Sequence, residues 1–147
     1  MAQRSRAREV ALQLLFQFDM NPGIPRAIVE RFARERLRNS ELLPFCMGLY
    51  DGSVTHRREI DAQLTVAADN WRLARMTAVD RNVLRLGAYE LLFANETPAP
   101  IALDEAIELA RRYGSKDSPS FVNGVLDKIN QTKNAETPAP TASAAAE

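Results

Sequence analysis

As far as about residue 133, apolar side chains recur at helical spacing, and no stretch alternates apolar and polar residues long enough to demand a sheet. The most constraining stretch is 81–95, where Val83, Leu84, Gly87, Ala88, Leu91 and Leu92 wrap most of a helix rather than one side of it. A helix apolar on several sides has to lie in the middle, with other helices packed round it. The sequence therefore predicts an all-α fold with this element at its centre, its start capped by Asp80.

The remaining helices follow the same period. Val10, Ala11, Leu14, Leu15 and Phe18 form one face of a helix over 5–19, which Asn21, Pro22 and Gly23 stop. Pro25 opens the next, with Ile28, Val29, Phe32 and Ala33 as its stripe. Ser40 suits the N-cap of a third, which carries Cys46, Met47 and Tyr50 and continues through Ile60, Leu64 and Ala67, with Gly48 and Gly52 allowing a bend. Trp71 in the following connector is expected to plug the core. After the stiff turn Thr97-Pro98-Ala99-Pro100, a helix over 102–113 places Asp104 and Glu105 first and Arg111 and Arg112 last, as the helix dipole favours. Ser118-Pro119 reads as an N-cap hydroxyl followed by proline in the first turn, opening a helix that buries Val122, Val125, Leu126 and Ile129. From about residue 134 the proline- and alanine-rich NAETPAPTASAAAE lacks large apolar side chains, so a disordered tail over 134–147 is expected.

Several kinds of chemistry are poorly served. One cysteine, Cys46, and one histidine, His56, leave no set for a disulfide framework or a thiolate zinc site, so no metal and no cofactor are expected. Gly114-Ser115-Lys116 lacks the glycine spacing of a phosphate loop. Cys46 lies on an apolar stripe, as a packed thiol does, and His56 beside Arg57 and Arg58 suits a solvent-facing place. No catalytic residue is assigned and no enzyme is expected. No apolar run approaches the roughly 18 residues of a membrane span, so a cytoplasmic protein without membrane contact is expected.

Charge is uneven beneath a formal net charge of zero. Residues 1–38 hold eight arginines against four acids, while 86–147 hold five basic residues against nine acids. Sixteen of the 19 basic residues are arginines, whose planar fork binds phosphates and stacks on bases. Arg4, Arg6 and Arg8 stand at alternate positions at the chain start, as a frayed terminus or as an arm that orders against a phosphate backbone. Phe121 falls one position off its helix's apolar stripe, leaving it at the core edge or turned outward as a stacking face beside free helix N–H groups. Arg72 and Arg75 flank Trp71, either on a surface or paired with Asp69 and Asp80.

RAREVALQLLFQFD (6–19), NWRLARMTAVDRNVLRLGAYELLF (70–93) and DEAIELARRYGSKDSPSFVNGVLDKI (104–129) closely resemble the NusB family of transcription antitermination factors, the run from Asp117 to Lys128 most specifically. The resemblance implies about seven helices in two small subdomains, about 1–68 and 69–133, forming one RNA-binding domain over 1–133. It implies binding of boxA, a single-stranded RNA element of ribosomal RNA leaders, together with ribosomal protein NusE, in an antitermination complex on RNA polymerase. Some relatives form homodimers. The resemblance places Arg4, Arg6 and Arg8 at the RNA, with Asp117, Phe121 and the adjoining Ser118; Arg72 and Arg75 join this set from their own setting. It turns Asp80 and Arg81 toward NusE. Two other readings keep the fold: a protein-interaction module without RNA contact, and the N-terminal part of a ribosomal RNA methyltransferase. The chain's ending in a tail rather than a cofactor-binding domain disfavours the latter.

Overall fold

Two side-chain-free positions set how closely the helices approach the central one. A Cβ on Gly52 would lie 2.2 Å from Cζ of Tyr89, and one on Gly87 would lie 2.6 Å from a Leu126 methyl and 3.2 Å from the Ala106 Cβ. These contacts draw three helices onto a fourth. The computed structural model describes residues 2–136 as seven α-helices: α1 (Ala2–Met20), α2 (Arg26–Arg36), α3 (Leu43–Thr55), α4 (Arg57–Ala67), α5 (Ala78–Leu92), α6 (Ala99–Tyr113) and α7 (Ser118–Glu136). Short 3-10 turns at Ser40–Leu42 and Leu73–Arg75 connect them.

Helix α5 is the centre, touching α1, α3, α4, α6 and α7. Its residues from Asn82 to Ala88 are all buried, as its all-round apolar pattern predicts. α2 lies against α1 and α3, while α6 and α7 pack on each other and on α5. α4 seats Ile60 and Leu64 in the core, packed chiefly on α5 and α7.

Local details depart from the sequence reading. The cap of α5 is Thr77, whose hydroxyl accepts from the Asp80 N–H at 3.1 Å, so Asp80 lies inside the first turn. The third helix breaks at His56 rather than bending at Gly48 or Gly52, because the His56 ring stacks 4.0 Å from Phe93 and Gly52 is used against Tyr89. Trp71 is 57% exposed; Leu73 and the buried Met76 anchor that connector instead. Residues 134–136 extend α7 rather than starting a tail, and the rest of the tail lies outside the described residues.

One polar contact crosses this core. Arg8 Nε and Nη2 donate to the two Glu90 oxygens at 2.7 and 2.8 Å, with both side chains buried. Glu105 stands 3.6 Å from the same guanidinium and accepts from Ser5 Oγ at 2.8 Å. Glu90→Ala leaves a buried guanidinium without its main partner, and should cost about 3–5 kcal/mol in urea unfolding. Arg8→Met with Glu90→Leu should recover most of that loss in the same measurement.

Candidate nucleic-acid interface

A helix that begins at Ala2 separates the three N-terminal arginines by direction. Positions 4 and 8 share a face and position 6 does not. Both Arg4 and Arg8 lie over the Phe45 ring, 4.4 and 5.2 Å from its centroid. Arg4 is exposed. Arg8, one turn further in, is 2% exposed and spent on Glu90, which removes it from a surface that nucleic acid can reach. Arg6 is 45% exposed and 3.1 Å from Glu9. The expectation of a three-arginine arm is therefore corrected to two outward arginines on an ordered helix and a third that holds the helix in place.

Glu9 also accepts from Arg112 and, at 2.9 Å, from the Tyr113 hydroxyl, tying the end of α6 to the start of α1. Burial and the Glu9 carboxylate push the Tyr113 hydroxyl above its ordinary range. The chain then turns through 114–117 into α7, so exposed Asp117 follows Tyr113 by four residues. Ser118 is 1% exposed, and its Oγ accepts from the Ser115 N–H at 2.9 Å. Its hydroxyl closes the turn behind it, which corrects its assignment as an RNA contact.

Phe121 is half-buried at the edge of a hollow of about 220 Å³, lined also by Ala67, Ala68, Asp69, Gly124 and Val125. The wall on the α4 side is a turn in which Asp69 and Asn70 both take left-handed backbone, φ 54° and 65°. Lys128 Nζ reaches Asp69 at 3.0 Å across the hollow's rim. Trp71, Arg72 and Arg75 follow this turn, all exposed. Among the described residues the two arginines pair with no carboxylate, leaving Asp69 to Lys128.

Arg81 is turned inward. It donates to Asp19 at 2.9 Å and to the carbonyls of Leu73 and Met76 at 3.1 and 3.0 Å. Asp19 also accepts from Asn82 at 3.0 Å and lies 3.4 Å from both Arg57 and Arg85. The Arg81 guanidinium thus locks α1 and the 73–76 connector to α5, with 18% of the side chain left exposed. Asp80 beside it is half-buried, and its Oδ1 has no hydrogen-bond partner among the described residues. Sequence reasoning missed Glu9, Asp19 and Glu90, the acids that decide which arginines stay free. It counted Arg36 and Arg38 only in the charge balance, although both line a hollow with Arg6.

Burial pushes the Cys46 thiol up to about 12, far from a thiolate at neutral pH. Among the described residues no group of three His, Cys, Asp or Glu side chains is placed to hold a metal ion, and no helix is long and apolar enough to cross a membrane.

Fold and surface together define an all-helical module wound round one buried helix, with arginines, a half-buried phenylalanine and an exposed tryptophan on its outside. The chain belongs to the NusB family, whose model matches residues 5–131. It is 42% identical over 133 residues to the transcription antitermination protein NusB of Desulfitobacterium hafniense (89% of this chain, 90% of the relative). It is 45% identical over 129 residues to that of Sorangium cellulosum (88% and 92%). Among solved structures it resembles Thermotoga maritima NusB, with a TM-score of 0.77, 35% identity and coverage of 87% and 90%. It also resembles a chain in the crystal structure of antitermination factors NusB and NusE in complex with dsRNA, with a TM-score of 0.81, 28% identity and coverage of 90% and 98%.

The Asp19 cluster sets a pH dependence. Burial by itself would raise the Asp19 carboxyl, but the hydrogen bonds from Arg81 and Asn82 and the charges of Arg81 and Arg85 outweigh it and hold the carboxyl below 3.8. A depressed native value stabilises the fold above the unfolded value and loses that contribution as pH falls through 3.8 toward the native one. The stability gap between wild type and Asp19→Asn should therefore be widest at neutral pH and narrow below pH 3.8 in denaturant titrations.

Proposed function

We propose that this chain is a transcription antitermination factor that binds boxA-type single-stranded RNA together with ribosomal protein NusE and joins an antitermination complex on RNA polymerase in the cytoplasm. The observation that carries this reading is Phe121, half-buried over a hollow of about 220 Å³ at the start of α7, within a chain matched to the NusB family over 5–131. A single-stranded base can leave its own stack and lie on such a ring, whereas a duplex keeps its bases paired. On this reading exposed Asp117, one turn ahead, accepts from an exocyclic amine, and exposed Arg4 and Arg6 add sequence-independent attraction to phosphates. With Arg8 buried, α1 itself offers only Arg4 and Arg6 to phosphates, and a second RNA-binding surface on NusE adds to them. Asp80, near the outer end of α5, stays a candidate for the NusE side.

Titration of a labelled boxA-type strand should give weak binding to the protein alone and tighter binding with NusE present. Phe121→Ala should weaken the ternary complex by about 1–3 kcal/mol, the usual worth of one base stacked on an aromatic ring. Phe121→Leu, which refills the hollow without an aromatic face, should weaken it similarly while leaving thermal unfolding near wild type. RNA affinity unaltered by both substitutions would return the module to a protein-interaction role.

A further inference from the structure

Arg6, Arg36 and Arg38 converge on one hollow of about 380 Å³ between the start of α1 and the α2–α3 link, together with Gln3, Asn39 and Leu42. No carboxylate lines it among the described residues. A second hollow of about 470 Å³ shares Gln3 and Leu42 with the first and carries Arg4 on its wall, so the two form one trough beside the first turns of α1. Glu96 is the one acid along the described trough.

The local fold explains the convergence. Leu37 ends α2 and is buried, so the residues on either side of it, Arg36 and Arg38, are carried at the surface. The Arg36 guanidinium is stacked 4.1 Å from the Phe32 ring centroid, which fixes its plane and leaves its N–H edges available. The Asn39 Oδ1 accepts from the Glu41 N–H at 2.9 Å, holding the link in shape. Of the other arginines of α2, Arg26 pairs with Glu30 and Asp51 and Arg34 with Glu30, while exposed Arg31 has no carboxylate partner among the described residues. Arg4, Arg36 and Arg38 have no carboxylate partner among the described residues, and the only one Arg6 has, Glu9, is shared with Arg112 and Tyr113. Three unpaired arginines of the N-terminal third, Arg4, Arg36 and Arg38, thus stand along this trough.

We propose that the trough holds the ribose–phosphate backbone of the RNA segment flanking the base seated at Phe121, with Arg6, Arg36 and Arg38 meeting successive phosphates; the inference rests on the RNA-binding reading above. Guanidinium forks match phosphate oxygens bidentately, and an open trough with Arg4, Arg6, Arg36 and Arg38 on its walls against the single acid Glu96 suits a flexible polyanionic strand. Glu9, which meets Arg6 of the trough as well as Arg112 and Tyr113, ties the trough's wall to the end of α6, four residues before Asp117. Base identity is read at one end, and the backbone is tracked at the other.

Salt titrations of the full chain with NusE, on a boxA-type strand and on a scrambled strand of the same length, test this. Arg36→Ala with Arg38→Ala should weaken both RNAs by about tenfold and lower the slope of log affinity against log salt by about 1.4, since each phosphate contact on a single strand contributes about 0.7. Arg38→Glu should weaken binding further at low salt. Phe121→Ala should weaken boxA-type RNA with the slope unchanged. Wild-type affinity and slope in the arginine variants, with Phe121→Ala still defective, would overturn the trough and leave the RNA reading intact. Lost affinity for NusE measured without RNA would overturn it in favour of an acidic protein surface. No RNA bound by the wild-type pair would remove the RNA reading itself. Both arginines are exposed, so unchanged circular dichroism and melting are expected in their variants.

Discussion

A guanidinium taken out of water has to be matched nearly atom for atom, and the pairing of Arg8 with Glu90 is where the structure meets that demand. Removing these charges from solvent costs several kcal/mol each, so the contact is poor as a source of stability by itself. Its effect is positional. It permits one rotation of α1 about its axis and one depth against α5, and the remaining N-terminal side chains take their directions from that choice. Arg4 is left over Phe45, Arg6 beside Glu9, and the first turns of α1 beside the α2–α3 link. A helix rotated by one residue would bring Ala7 or Glu9 to Glu90 in place of Arg8 and dissolve the trough.

The same economy of charge runs through the opposite end of α1. Asp19 gathers Arg57, Arg81, Arg85 and Asn82, and Asp61 takes both Arg85 Nε and Nη2 at 2.9 and 3.0 Å. Arginines are abundant in this sequence, but many are structural. The surface available to a polyanion is defined by those that the acids of the fold leave unpaired, which is why a whole-chain net charge of zero coexists with a strongly basic face.

Helices were legible because burial imposes a 3.6-residue period that survives without any tertiary information, and α5 announced its central place by being apolar on several sides. Capping chemistry was harder, since Thr77 and Asp80 both suit a helix start and only the backbone path decides between them. Ser118 reads as an N-cap but is already the first residue of α7, and its hydroxyl faces back into the turn to accept from the Ser115 N–H. The site suffered more, and for one reason. Arg8 and Glu90 lie 82 residues apart, and Arg81 and Asp19 lie 62 apart, so neither pairing has a local signature. Trp71 misled in the other direction: Leu73 and Met76 hold the connector to the core, and the indole is left outside. Arg36 and Arg38 became visible as a site only once buried Leu37 had set them on either side of the same hollow.

Clamped through Arg8 near one end and Asp19 near the other, α1 behaves mechanically as a strut fixed at two points about 16 Å apart, at 1.5 Å of rise per residue. Residues ahead of the first clamp, Arg4 and Arg6 among them, form a cantilever little more than a turn long. A lever that short stores little conformational entropy, so the outer arginines hold nearly their final positions before any strand arrives. If RNA docks here as proposed, encounter rather than the ordering of an arm sets the pace.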